Sequence, residues 1–185
     1  MDSDLNLLIT IMDDLKSSFL DTSMWENSPF EWLRCLPSRK VGAFAEELLS
    51  RWLAQKGFYV KRPSDSEADR ILQLPQYKIE KRVEIKFSTL WSGGSYRFQQ
   101  IRDQNYDILL CFGVSPQAAH LWAIPKHIIM SLWKKGIISS QHGGRRGRDT
   151  AWIDINPKNP PDWILAYGGS LAEGLRSLEN LLNLS

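Results

Sequence analysis

The chain has no run approaching the ~18 apolar residues that a membrane-spanning helix needs. Its first residues, Met1-Asp2-Ser3-Asp4, are acidic where a secretion signal would be basic. A cytoplasmic location is therefore expected. Cysteine is scarce. Only Cys35 and Cys111 occur, each beside apolar residues, so no disulfide framework or zinc spacing is possible and both are expected as buried free thiols. There is no phosphate-binding loop and no Gly-x-Gly-x-x-Gly, so no nucleotide cofactor is expected. Acidic residues are missing from one long stretch. Between Asp107 and Asp149 there is not one Asp or Glu, while Lys126, Lys134, Lys135, Arg145, Arg146 and Arg148 all fall there. One part of a protein whose net charge is only +2 is thus expected to present a positive surface.

What is present is ordinary for a folded domain. The 185 residues are 43% hydrophobic and 24% charged, enough for one core. We expect a single domain over residues 1–185: an N-terminal helical segment (1–37), a central core (about 38–125) and a basic helix and loop with a C-terminal helix (126–185). Leu5, Leu8, Met12, Leu15 and Phe19 have the 3-4-3-4 spacing of a helix face. A second helix is predicted from a Ser38 cap to about Lys56, stopped by Gly57. Strands are predicted at 58–60, 69–74, 82–89, 107–114 and 120–124, and an edge strand at 152–155. Helices are predicted at 98–105, 126–135 and 171–182. The order implies an α/β fold: a central five-stranded mixed sheet flanked by helices.

The informative segment is Val83-Glu84-Ile85-Lys86-Phe87. Side chains alternate along a strand, so Val83, Ile85 and Phe87 share the core face. Glu84 and Lys86 share the other, about 7 Å apart at Cβ. A carboxylate there can bind a hard cation, and a lysine can orient water beside it. Glu-x-Lys alone is common on solvated strands. Asp69 adds to it. If strands 69–74 and 82–89 pair as a hairpin turning at Gln76-Tyr77, paired residue numbers sum to 153. Asp69 then faces Glu84 with Cβ atoms about 5 Å apart, and two such carboxylates call for a cation. On the preceding helix, Glu46 falls at the border of the apolar face. Glu47 points further out but is not far behind as an alternative. Gly42, one turn before Glu46, leaves space.

Ser38-x-x-x-Gly42-x-x-x-Glu46, Asp69, Glu84-Ile85-Lys86 and Phe98-Gln99-Gln100 occur in that order. This series resembles the PD-(D/E)XK nuclease superfamily, the fold of most type II restriction endonucleases. The Asp is preceded here by Ala68 rather than proline. The resemblance implies a restriction-endonuclease-like core that hydrolyses phosphodiester bonds of double-stranded DNA with Mg²⁺. It implies that Asp69 and Glu84, with the backbone carbonyl of Ile85, ligate the metal. Lys86 would activate the attacking water, and Glu46 would hold a metal-bound water or second ion. Gln99 or Gln100 would make a supporting or phosphate contact.

Two further segments fit a DNA partner. Ser92-Gly93-Gly94-Ser95-Tyr96-Arg97 follows the Glu-x-Lys strand, where backbone N–H groups meet phosphates. Gln141-His142-Gly143-Gly144-Arg145-Arg146-Gly147-Arg148 is a basic glycine-rich loop. A restriction endonuclease is the first reading. A same-fold nuclease of repair, recombination or transposition is the second, and a non-catalytic DNA-binding module on a decayed nuclease fold the third. Cutting a palindrome would call for a two-fold homodimer, with the helices at residues 3–20 and 171–183 as candidate interface.

Overall fold

The computed structural model describes residues 3–19, 23–141 and 149–183. It contains four α-helices, α1 (Ser3–Phe19), α2 (Ser38–Gln55), α3 (Lys126–Lys134) and α4 (Leu171–Asn183). Its strands are β1 (Tyr59–Lys61), β2 (Arg70–Gln73), β3 (Lys81–Thr89), β4 (Tyr96–Ile101), β5 (Ile108–Val114), β6 (Ala119–Pro125), β7 (Ser139–Gln141), β8 (Thr150–Ile155) and β9 (Gly168–Ser170). The mixed α/β class is as expected, but the strands divide differently. A six-stranded sheet runs β1-β2-β3-β5-β6-β9, and a separate three-stranded sheet runs β4-β8-β7. Only β3 and β5 pair in parallel within the large sheet. Every residue of β5 is buried, as a central strand covered on both faces must be.

Each face of the large sheet has its own core. On one, Ala45, Leu49 and Leu53 of α2 pack with Val83, Ile85, Leu110 and Phe112, and Leu178 and Leu182 of α4 join them. Gly174 lets α4 approach β6 closely, because a Cβ there would lie 2.3 Å from the Leu121 carbonyl oxygen. On the other face, Leu109, Cys111, Trp122 and Ile124 meet the inner face of the small sheet, including Tyr96, Phe98, Ile101 and Ile153.

Several expectations are corrected. Residues 98–105 do not start a helix. Phe98 and Ile101 look three apart because β4 carries a bulge. Phe98 pairs with Ile153 and Ile101 with Ala151, so Gln99 and Gln100 together oppose Trp152. The inserted residue turns a period of two into a false helical spacing. The strand at 152–155 begins at Thr150 and is central in the small sheet rather than at an edge. α2 starts at Ser38 with Pro37 in the N-cap position, so Ser38 is not the cap. Cys35 is exposed. It ends a 3-10 turn in which Leu33 and Leu36, three residues apart, take the inward side. The two candidate interface helices also part company. α4 spends its apolar face on β6, whereas Leu5, Leu8, Met12 and Leu15 of α1 are all exposed. Among the described residues no helix is long and apolar enough to cross a membrane.

Candidate active site

The β2–β3 hairpin has the register read from the sequence. Arg70 pairs with Val83, Ile71 with Arg82 and Leu72 with Lys81. Asp69 continues this ladder, its N–H donating to the Val83 carbonyl at 2.9 Å. Its side chain reaches across, and Oδ2 accepts from the Ile85 N–H at 2.7 Å. A strand residue points its N–H and C=O to the same side. The Ile85 carbonyl therefore also faces the side where β2 has ended and Asp69 stands.

Glu84 and Lys86 share the face of β3 away from α2. The Lys86 ammonium lies 2.7 Å from Glu84 Oε1. Glu84 is buried, and burial raises its pKa above the ordinary glutamate value; Asp69 pushes the same way and Lys86 opposes. Glu46 sits on the α2 face that overlooks this strand. Its pKa is also raised, first by burial and next by Asp69. Glu47 behaves oppositely. Arg51, one turn along, donates to it at 2.7 Å and holds its pKa down. Of the two, Glu46 is the one that lines the cleft.

That cleft has a volume of about 500 Å³. Its walls include Gly42, Glu46, Lys86, Arg97, Gln99 and Gln100. Residues from α2, β3 and β4, widely separated in sequence, thus meet in one cavity. Ser88 ties the strands that form it: its hydroxyl accepts from the Arg97 N–H at 2.9 Å. Arg97 is itself fixed. Its guanidinium bonds Asp154 at 2.7 and 3.3 Å, and lies 5.0 Å from the Trp91 ring centre and 4.8 Å from that of Trp152.

One participant was missed. Arg70, the neighbour of Asp69, is buried between β2 and α2. Its Nε donates to Ser50 Oγ at 2.9 Å and Nη1 to the Asp69 carbonyl at 2.7 Å, with Glu46 Oε2 at 3.6 Å. It therefore ties α2, through Ser50 and the nearby Glu46 and Glu47 carboxylates, to the backbone of Asp69. Nothing in a strand of alternating pattern marks an arginine as buried, and only its adjacency to Asp69 offered a hint.

Other expected contacts fall outside the cleft. Tyr96 is fully buried, because strand alternation turns it inward beside Phe98. Its hydroxyl meets His120 Nδ1 at 2.8 Å, and burial pushes its pKa up to about 12. It is corrected from a DNA contact to a core residue. Gly94 donates its N–H to the Trp91 carbonyl at 2.8 Å, closing the turn through Ser92 and Gly93, so that amide is not free for phosphate. Gln141 ends β7 exposed. His142, Arg145, Arg146 and Arg148 lie outside the described residues.

Among the described residues, no three His, Cys, Asp or Glu side chains stand close enough to form a metal cage unaided. The donor chemistry nevertheless fits a hard divalent cation. Two carboxylates, Asp69 and Glu84, stand close enough that Asp69 helps burial raise the pKa of Glu84, and a strand carbonyl faces the same side.

No protein-family profile matches the chain, and no curated protein matches it. Among solved structures it is similar to a bacterial homing endonuclease, I-Ssp6803I. The TM-score is 0.50 at 15% identity, covering 78% of this chain and 94% of the other. The two chains share a fold. At that identity the likeness speaks for the architecture, a mixed sheet flanked by helices, and residue roles rest on the geometry above.

Proposed function

We propose that the chain is a metal-dependent endonuclease that hydrolyses phosphodiester bonds in double-stranded DNA. The observation that carries this is that Glu46 and Lys86 line one cleft, with Glu84 paired to Lys86 and Asp69 bonded to the Ile85 N–H beside them, on a fold shared with a homing endonuclease. Asp69, Glu84 and the Ile85 carbonyl would hold Mg²⁺, with Glu46 bound through water or to a second ion. When bound, the metal supplies positive charge that stabilises the attacking and leaving oxygens. Lys86, anchored by Glu84, orients the water for in-line attack. The new P–O bond forms as the P–O3′ bond breaks, leaving a 5′-phosphate and a 3′-hydroxyl. Arg70 keeps Glu46 and Asp69 in register with each other.

Gln99 or Gln100 would touch the substrate beside the cleft. The basic segment with Arg145, Arg146 and Arg148 would bind phosphates, joining the ends of β7 and β8. A type II restriction role and the site-directed cutting of a homing enzyme both fit, and the length of the recognised site separates them. If the site is two-fold symmetric, the exposed apolar residues of α1 are the surface we assign to a homodimer. The deciding experiment is incubation of the purified chain with phage DNA and Mg²⁺ or Mn²⁺. Discrete fragments are expected from the wild type and none from Lys86→Ala. Cutting that persists in EDTA, or in Asp69→Ala at the wild-type rate, contradicts the assignment.

A further inference from the structure

The bulge in β4 does more than bend a strand. Gln100 has φ 57, a left-handed conformation that a residue with a side chain adopts at a cost. Bulges re-aim side chains beside active sites. Here two consecutive residues, which a regular strand would point to opposite faces, both line the cleft that holds Glu46 and Lys86. Both are exposed, and neither amide has a side-chain hydrogen bond among the described residues.

The surroundings are rigid. The small sheet turns Phe98 and Ile153 to the core and Arg97, Trp152 and Asp154 outward. Arg97 is locked between two indoles and Asp154. Of the cations lining the cleft, Lys86 is paired with Glu84 and Arg97 with Asp154.

We propose that Gln99 and Gln100 read base edges next to the scissile phosphate, with the outward face of the small sheet laid in the major groove of duplex DNA. A carboxamide carries one donor and one acceptor side by side, the complement of adenine N6 and N7. The preferred base at the position read is therefore adenine. The inference rests on the nuclease reading of this same site and names what it selects.

A pool of duplexes randomised in sequence tests it, by sequencing the ends produced in Mg²⁺ and, separately, the molecules retained in Ca²⁺. The wild type should enrich adenine within a few base pairs of the cut. Gln99→Ala, Gln100→Ala and Gln100→Gly should each lower that enrichment, by about 5- to 150-fold at the position lost. Gln100→Gly keeps the left-handed backbone available, so a loss in that variant belongs to the side chain. A uniform drop in cutting with the adenine ratio intact would assign the glutamines to the phosphate and overturn the inference. So would a wild type with no base preference in either selection. A wild type that cuts nothing but retains adenine-bearing duplexes through Gln99 and Gln100 would overturn the nuclease reading and leave base reading standing.

Discussion

The two faces of β3 are made from one backbone and have opposite duties. Val83 and Ile85 face α2 and are buried in the larger apolar cluster. Glu84 and Lys86 face the other way, paired at 2.7 Å at the edge of the cleft. The first face holds the fold through dispersion and water exclusion. The second places charge where water is scarce, which raises the pKa of Glu84 and makes a cation welcome. Stability and chemistry therefore lie one residue apart along the chain but are separable by mutation.

The largest expected effect is on the polar face. Lys86→Ala, Glu84→Ala and Asp69→Ala should each lower cleavage at least a thousandfold, a barrier increase of about 4 kcal/mol, with circular dichroism unchanged. A fold lost in all three would show that the faces are not independent. On the apolar face, Leu110→Ala should cost about 2–5 kcal/mol in denaturant unfolding, since Leu110 is fully buried beside Ile85. The cleavage rate per folded molecule should stay near wild type. A smaller contrast lies on α2, where Glu46→Gln should reduce cleavage about tenfold or more and Glu47→Gln less than twofold, because only Glu46 lines the cleft. The reverse ranking would move the site one residue along the helix.

The smallest effect is a pH dependence on the cleft side of the sheet. His120 is half-buried against Tyr96 and stacks on Trp122, and burial lowers its pKa. A base with a depressed folded pKa stays neutral while the unfolded chain takes up a proton, near pH 6.5. Its stabilising contribution is therefore complete above that pH and declines as pH falls through it. The melting temperature should fall between pH 7.5 and 5.5, and His120→Gln should show a shallower fall. An equal fall in both proteins would place the acid sensitivity elsewhere.

Much of this arrangement was legible before any coordinates. Periodicity located α2, β3, β5 and β6, because each buries a continuous apolar face and that requirement is written residue by residue. The hairpin register followed from a turn at Gln76-Tyr77, and with it the place of Asp69 opposite Glu84; the bond from the Ile85 N–H to the Asp69 carboxylate did not. The Glu84–Lys86 pairing followed from strand alternation alone. What local patterns cannot carry is any departure from a regular period, or any choice between partners distant in sequence. The bulge at Gln99 and Gln100 exists because β4 must pair with β8 some fifty residues later, and it disguised a strand as a helix. The burial of Arg70 and Tyr96, and the exposure of Cys35 and α1, depend on which surfaces meet in three dimensions. The sequence by itself determined α2, the strands of the main sheet from β1 to β6 other than β4, and the chemistry each could offer. Only the packing of α2 and the small sheet about β3 brought those groups to one cleft, because burial is a property of pairs of surfaces and not of either one alone.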